Sequence, residues 1–113
     1  MRWYLHAKIH QATVTEADIN YVGSIKIDRT LLEKVGLEPG EKVLVVSNST
    51  GSRLETYVIE GEADSGVISM NGAAAHLIRT GEEIIVMGFE LSESPIDAKI
   101  AQVDSENRFE RYL

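Results

Sequence analysis

The chain has 113 residues, 43% hydrophobic and 26% charged, with two prolines and no cysteine. That size suits one domain with a single modest core, and the missing cysteines exclude disulfides, a thiol nucleophile and thiolate-bound metal. A formal charge of -7 repels a nucleic-acid backbone, and neither a membrane-length apolar run nor a signal-peptide core is visible. The expectation is a cytoplasmic protein, without nucleic acid or membrane as a partner.

Residues 2 to 10 alternate as a half-buried strand does, with Trp3, Leu5, Ala7 and Ile9 on one face. Lys8 and His10 then share the other face, either as solvated charge or as a cationic wall beside a site. A short strand over 12 to 15 is followed by Tyr21-Val22-Gly23-Ser24 and a strand over 24 to 28. Asp28 suits the N-cap of a helix over 29 to 35, and Gly36 its C-terminal end. After a Pro-Gly turn, Val43 to Val46 predict a strand over 42 to 47 buried on both faces, paired as a hairpin with one over 53 to 59. On that second strand Arg53 and Tyr57 share a face, about 13 Å apart, and Thr56 falls on the opposite face.

A short strand over 67 to 70 runs into Asn71-Gly72, a turn, and then Ala73-Ala74-Ala75, which favours a short helix and lets a ligand approach the backbone. A long strand follows over 83 to 91. Ser94-Pro95 breaks it, residues 99 to 103 predict one more strand, and 104 to 113 read as a peripheral strand or a mobile tail. Short strands this closely spaced leave no room for βαβ units and indicate a mainly β fold, a small barrel with short helices.

Chemistry is scarce. His6 and His10 on one strand face would sit roughly 13 Å apart, too far to share an ion. No phosphate-binding glycine loop and no Gly-x-Ser-x-Gly elbow is present. Gly23-Ser24 alone reads as a turn, in which Gly23 can hold angles closed to other residues. The other reading is that the Ser24 hydroxyl attacks the Gly23 carbonyl and residue 24 becomes a cofactor. Arg53 could equally be a solubilising charge at a hairpin edge, Tyr57 a barrel-rim aromatic, Asn71 a turn residue and Ala73 to Ala75 core packing.

Taken together, these pieces carry a resemblance. Lys8-Ile9-His10, residues 18 to 24 ending Tyr-x-Gly-Ser, Arg53 with Thr56-Tyr57, and Ser69-Met70-Asn71-Gly72-Ala73-Ala74-Ala75-His76 occur in this order. The set resembles the pyruvoyl-dependent aspartate decarboxylase family, over roughly residues 1 to 90. The resemblance implies a double-psi β-barrel forming a homotetramer with active sites between subunits. It implies cleavage between Gly23 and Ser24 and a pyruvoyl group derived from Ser24, with no metal and no pyridoxal phosphate. The activity implied is conversion of L-aspartate to β-alanine and carbon dioxide, for pantothenate synthesis, with the substrate amine held as a Schiff base.

By the same resemblance Thr56 and Asn71 assist cleavage of the Gly23-Ser24 bond, and Tyr57 delivers the proton. Lys8 and Arg53 bind carboxylates, with Thr56, Gly72, Ala73 and Ala74 as further substrate contacts. Thr56 needs a bulge or a subunit contact to act beside Tyr57. His10 and His76 receive packing or surface roles. Other readings are an unprocessed, non-catalytic barrel that binds a ligand, a decarboxylase of glutamate, and a DNA-binding regulator that the charge disfavours. Residues 93 to 113 carry no family pattern and read as a peripheral tail of the single domain 1 to 113; whether a maturation factor takes part is left open.

Overall fold

Nine strands and two short helices build the chain, and the computed structural model describes residues 1–113. The strands are β1 (Arg2–Thr13), β2 (Glu16–Asp18), β3 (Ser24–Asp28), β4 (Lys42–Ser47), β5 (Arg53–Gly61), β6 (Ile68–Asn71), β7 (Glu83–Ser92), β8 (Lys99–Val103) and β9 (Phe109–Tyr112). The helices are α1 (Arg29–Val35) and α2 (Ala74–Leu77). The strands hydrogen-bond in the order β2-β6-β3-β5-β4-β7-β1-β8-β9. The pairs β3–β5, β1–β8 and β2–β6 are parallel and the rest antiparallel. This mainly β architecture is consistent with a double-psi barrel. No helix is long and apolar enough to cross a membrane.

Alternation explains the core. Ile25 and Ile27 of β3, Val43 and Val45 of β4, and Ile84 and Val86 of β7 are essentially inaccessible, as β-branched side chains on the inward face of a pleated sheet should be. Helix α1 closes one side with Leu31, Leu32 and Val35. Its start is set by Asp28, whose Oδ1 accepts from Thr30 N at 2.8 Å. Its end is set by Gly36 at φ 80, donating to Leu32 O at 2.8 Å. Asp28 is itself buried and also accepts from Asp64 N and Gly66 N, which ties the loop before β6 to the helix.

Three expectations change. In β1 the register slips between Leu5 and Ala7, where His6 is the extra residue, and again between Ile9 and Ala12. Ala7 and Ile9 are therefore fully buried while Trp3 is 67% exposed, so the four do not share a face. Strand β4 is buried on one face only, with Leu44 and Val46 half-covered on the other. The predicted strand over 12 to 15 divides, since β1 runs on to Thr13 and β2 begins at Glu16.

The last segment is ordered at the sheet edge. Asn107 is buried at φ 61. Its Oδ1 accepts from Thr13 N, and its Nδ2 donates to Thr13 O and Gly66 O, each at 2.8 Å. Tyr112 donates to Lys34 O at 2.8 Å, fastening β9 to α1.

Candidate active site

Three strands place Ser24. In the antiparallel β3–β6 pair it lies opposite Asn71. In the parallel β3–β5 pair Ile25 lies opposite Val58, which sets Ser24 level with Tyr57. Before Ser24 the chain leaves the sheet, so β5 from Arg53 to Tyr57 has no β3 partner along that edge. An open cleft of about 370 Å³ occupies the gap, bordered by Gly23, Ser24, Thr56, Tyr57, Asn71 and the start of α2. Its size falls within the range of small-ligand pockets. A larger concavity, about 630 Å³, lies between Trp3, Leu44 and Phe89. It holds none of the predicted site residues, and its two nearest opposite charges, Lys42 and Glu55, already pair at 2.9 Å.

Ser24 is fully buried. Its hydroxyl donates to Val22 O at 2.9 Å. A carbonyl can only accept, so Ser24 Oγ must itself accept from Asn71, whose Nδ2 lies 3.0 Å away. Asn71 Oδ1 then faces Ser69, which donates at 2.8 Å. The donors thus run one way along the chain, from Ser69 to Asn71 to Ser24 to Val22. Ser69 stands in the motif over residues 69 to 76, without a role of its own in the sequence. Its signal was the two-residue spacing from Asn71, which puts both side chains on one strand face.

The glycine whose freedom matters is Gly72, not Gly23. Gly72 adopts φ 67, and a Cβ there would lie 2.7 Å from Gly23 Cα. At Gly23 the backbone stays out of the left-handed region, and a Cβ would meet only Asn71 O, at 4.0 Å. The expectation that Gly23 holds angles closed to other residues is therefore not met. Asp18 secures the approach: its carbonyl accepts from Gly72 N at 2.8 Å and its Oδ1 from Asn20 N at 2.9 Å. Lys26 Nζ, 5.1 Å above the Tyr21 ring, holds the same turn by a cation–π contact.

Thr56 and Tyr57 both border the cleft although β5 pairs with β4 in unbroken register. Neither a bulge nor a second subunit is needed to bring both there, because the cleft opens across a free strand edge. Tyr57 stands at the rim, 38% exposed. Ala73 and Ala74 border the cleft at the start of α2.

Lys8 and Arg53 do not join this group within one chain. Arg53 begins β5 opposite Val46, four residues from Tyr57. Lys8 lies on β1 opposite Met87, three strands from β5 and so about 14 Å across the sheet. Neither forms an ion pair.

Residues 1–110 match the family model described as aspartate decarboxylase. The aspartate 1-decarboxylase of Neisseria meningitidis serogroup C is 50% identical over 111 residues, covering 95% of this chain and 87% of that protein. The aspartate 1-decarboxylase of Bacillus subtilis is 45% identical over 116 residues, covering 99% and 91%. Aspartate 1-decarboxylase 1 of Frankia casuarinae is 59% identical over 90 residues, covering 80% and 58%. A buried serine behind a glycine, an asparagine donating to it and a tyrosine at the mouth of the same cleft thus stand in a chain that belongs to the aspartate decarboxylase family.

Proposed function

We propose that this chain cleaves itself between Gly23 and Ser24, carries a pyruvoyl group at residue 24, and decarboxylates L-aspartate to β-alanine and carbon dioxide. One observation carries the reading: Asn71 Nδ2 donates to the buried Ser24 Oγ at the base of a cleft whose rim is Tyr57. The residues present suit the group. Position 24 opens on a cleft, and small side chains at 72 to 74 leave space beside it.

In the first step Ser24 Oγ bonds to the Gly23 carbonyl carbon, the carbon–nitrogen bond breaks, and the hydroxyl proton passes to the freed nitrogen. The Asn71 amide is placed to stabilise charge gathering on Oγ. Loss of the Ser24 Cα proton then expels the Gly23 carboxylate and leaves dehydroalanine. One water enters, one ammonia leaves, and residue 24 ends as a ketone.

That pyruvoyl ketone supplies a covalent hold on the substrate amine and a sink for the electrons left when carbon dioxide departs. Tyr57 returns the proton to the α-carbon, a task suited to a phenol, whose hydroxyl is a proton donor. Thr56 and the backbone of Gly72, Ala73 and Ala74 hold the substrate against the cleft wall. Arg53 grips a carboxylate through its planar fork, and Lys8 supplies a second cation.

Because Lys8 and Arg53 lie outside the cleft of their own chain, they serve a neighbour's cleft in a homotetramer. Supporting this, their sheet face is largely apolar and partly open: Leu44, Val46 and Met87 are half-buried beside the Lys42–Glu55 pair, and Phe89 and Leu91 are 40% and 45% exposed. The role is cytoplasmic, supplying β-alanine for pantothenate synthesis.

Intact mass under denaturing conditions, with carbon dioxide release from aspartate, tests the reading. The expected result is two chains, the longer one lighter by one ammonia than a serine-terminated 24–113, and activity absent in Ser24→Ala. Processed protein inert toward aspartate would refute the substrate assignment. Glutamate is the informative competitor, since one methylene is worth only about 1–3 kcal/mol of discrimination.

A further inference from the structure

Strand β6 buries four residues in a row, Ile68, Ser69, Met70 and Asn71. Ser69 is 2% exposed, beyond the reach of bulk water, and its hydroxyl hydrogen-bonds only Asn71 Oδ1, at 2.8 Å. A buried hydroxyl needs a partner, and the partner here is the residue that contacts Ser24. We propose that Ser69 is a positioning residue for self-cleavage: its hydroxyl fixes the Asn71 amide so that Nδ2, and not Oδ1, faces Ser24 Oγ. The inference rests on the self-cleavage reading and deepens it.

The two faces of a primary amide are nearly equal in size and opposite in polarity. With Nδ2 toward Ser24, a donor meets the oxygen that loses its proton when it attacks Gly23. With the amide turned over, a carbonyl oxygen meets that developing negative charge, and repulsion replaces stabilisation. Ser69 distinguishes the two orientations from the far side: with the amide turned over its oxygen would accept from Nδ2, and its own proton, whose only bond is to Asn71 Oδ1, would be left buried without that partner. Val22 O adds to the preference by taking the Ser24 proton in the resting arrangement. That bond must break before attack, whereas the Asn71 contact need not. Ser69 therefore acts at the acyl shift, when Oγ bonds to the Gly23 carbon, and not at the later elimination.

The test follows the conversion of freshly synthesised full-length chain by intact mass, with and without hydroxylamine, which captures the ester. Ser69→Ala is expected to slow conversion about tenfold to a hundredfold, and ester capture should slow by the same factor. Ser69→Thr, which keeps the hydroxyl, should recover most of the rate. Asn71→Asp, which presents oxygen whichever way it turns, should be at least as slow as Ser69→Ala and tests the orientation without altering position 69. Thermal melting of each variant shows whether a slow chain is a folded one.

A wild-type chain that stays whole overturns the self-cleavage reading and this inference with it. A wild-type chain that splits, beside Ser69→Ala splitting as fast, overturns this inference alone. So would ester accumulating in Ser69→Ala, because the defect would then lie after the acyl shift.

Discussion

A methyl group added at Gly72 would lie 2.7 Å from Gly23 Cα, 3.0 Å from Gly23 N and 3.2 Å from Tyr21 O. All three are backbone atoms, which no rotamer change can move aside. Carbon–carbon contacts settle near 3.5–4.0 Å, so the 21–23 segment must retreat by roughly 0.8 Å or more. Overpacking of this kind costs about 1–3 kcal/mol, and holding alanine at φ 67 costs about 1–2 kcal/mol more. Gly72→Ala should therefore lose about 2–5 kcal/mol, a large part of the stability of a small domain. Gly81 is the control: it sits at φ 91 with nothing within 4 Å of its missing Cβ, so Gly81→Ala should lose only the conformational part, about 1–2 kcal/mol. Urea titration of both in a Ser24→Ala background keeps every sample one chain, and a common protein concentration holds any assembly constant. The gap between the two losses measures the clash. Equal losses would refute the packing argument. In chains that retain Ser24, the displaced Gly23 carbonyl should also slow self-cleavage by about tenfold to a hundredfold.

Four further outcomes are expected. Tyr57→Phe should still cleave itself, since Tyr57 is outside the hydrogen-bond chain through Ser24, while decarboxylation falls by about 10²–10⁴-fold; carbon dioxide release from protein shown by mass to be processed checks this. Asn107→Ala removes three hydrogen bonds and strands Thr13 N and Gly66 O, so unfolding by urea should show a loss of about 2–5 kcal/mol. Glu82 is held below the usual carboxylate pKa chiefly by the Ser47 hydroxyl, 2.6 Å away, helped by Arg79 and Thr50 against desolvation. The unfolded chain thus protonates this carboxyl before the folded one does, and its contribution is complete above about pH 5 and fades as pH falls through the lowered value; urea midpoints of wild type and Glu82→Gln should converge on acidification. Finally, Ser24→Ala and Arg53→Ala chains, each inactive alone, should regain partial activity when co-expressed, because one mixed site would join an intact Ser24 to a neighbour's intact Arg53; no recovery would place Arg53 in its own chain's site.

Sequence was most informative where one residue sets an outcome by its own chemistry. Asp28 and Gly36 delimit α1 because a carboxylate cap and a left-handed glycine act within a turn of themselves, and β3, β4 and β8 occupy the spans that their apolar residues mark. The His6 bulge was illegible because its cause is remote. At Gly88, on the neighbouring strand, a Cβ would meet Leu37 Cδ2 at 2.6 Å and His6 Nε2 at 3.0 Å; that glycine makes room for the His6 ring, which pairs with Glu41 across the strand. The site divides the same way. Residue types at 23, 24, 57 and 71 to 74 mark the candidate site, but the glycine whose angles are closed to other residues was expected at 23 and is found at 72, where its own turn meets a segment far off in sequence. Hydrogen-bond polarity was out of reach for the same reason, since Asn71 meets Ser24 only through the β3–β6 register. Lys8 and Arg53 carry this logic one level higher. Neither forms an ion pair in its own chain, and in the proposed homotetramer, in a protein of charge -7, they would draw an anionic substrate into a neighbour's cleft.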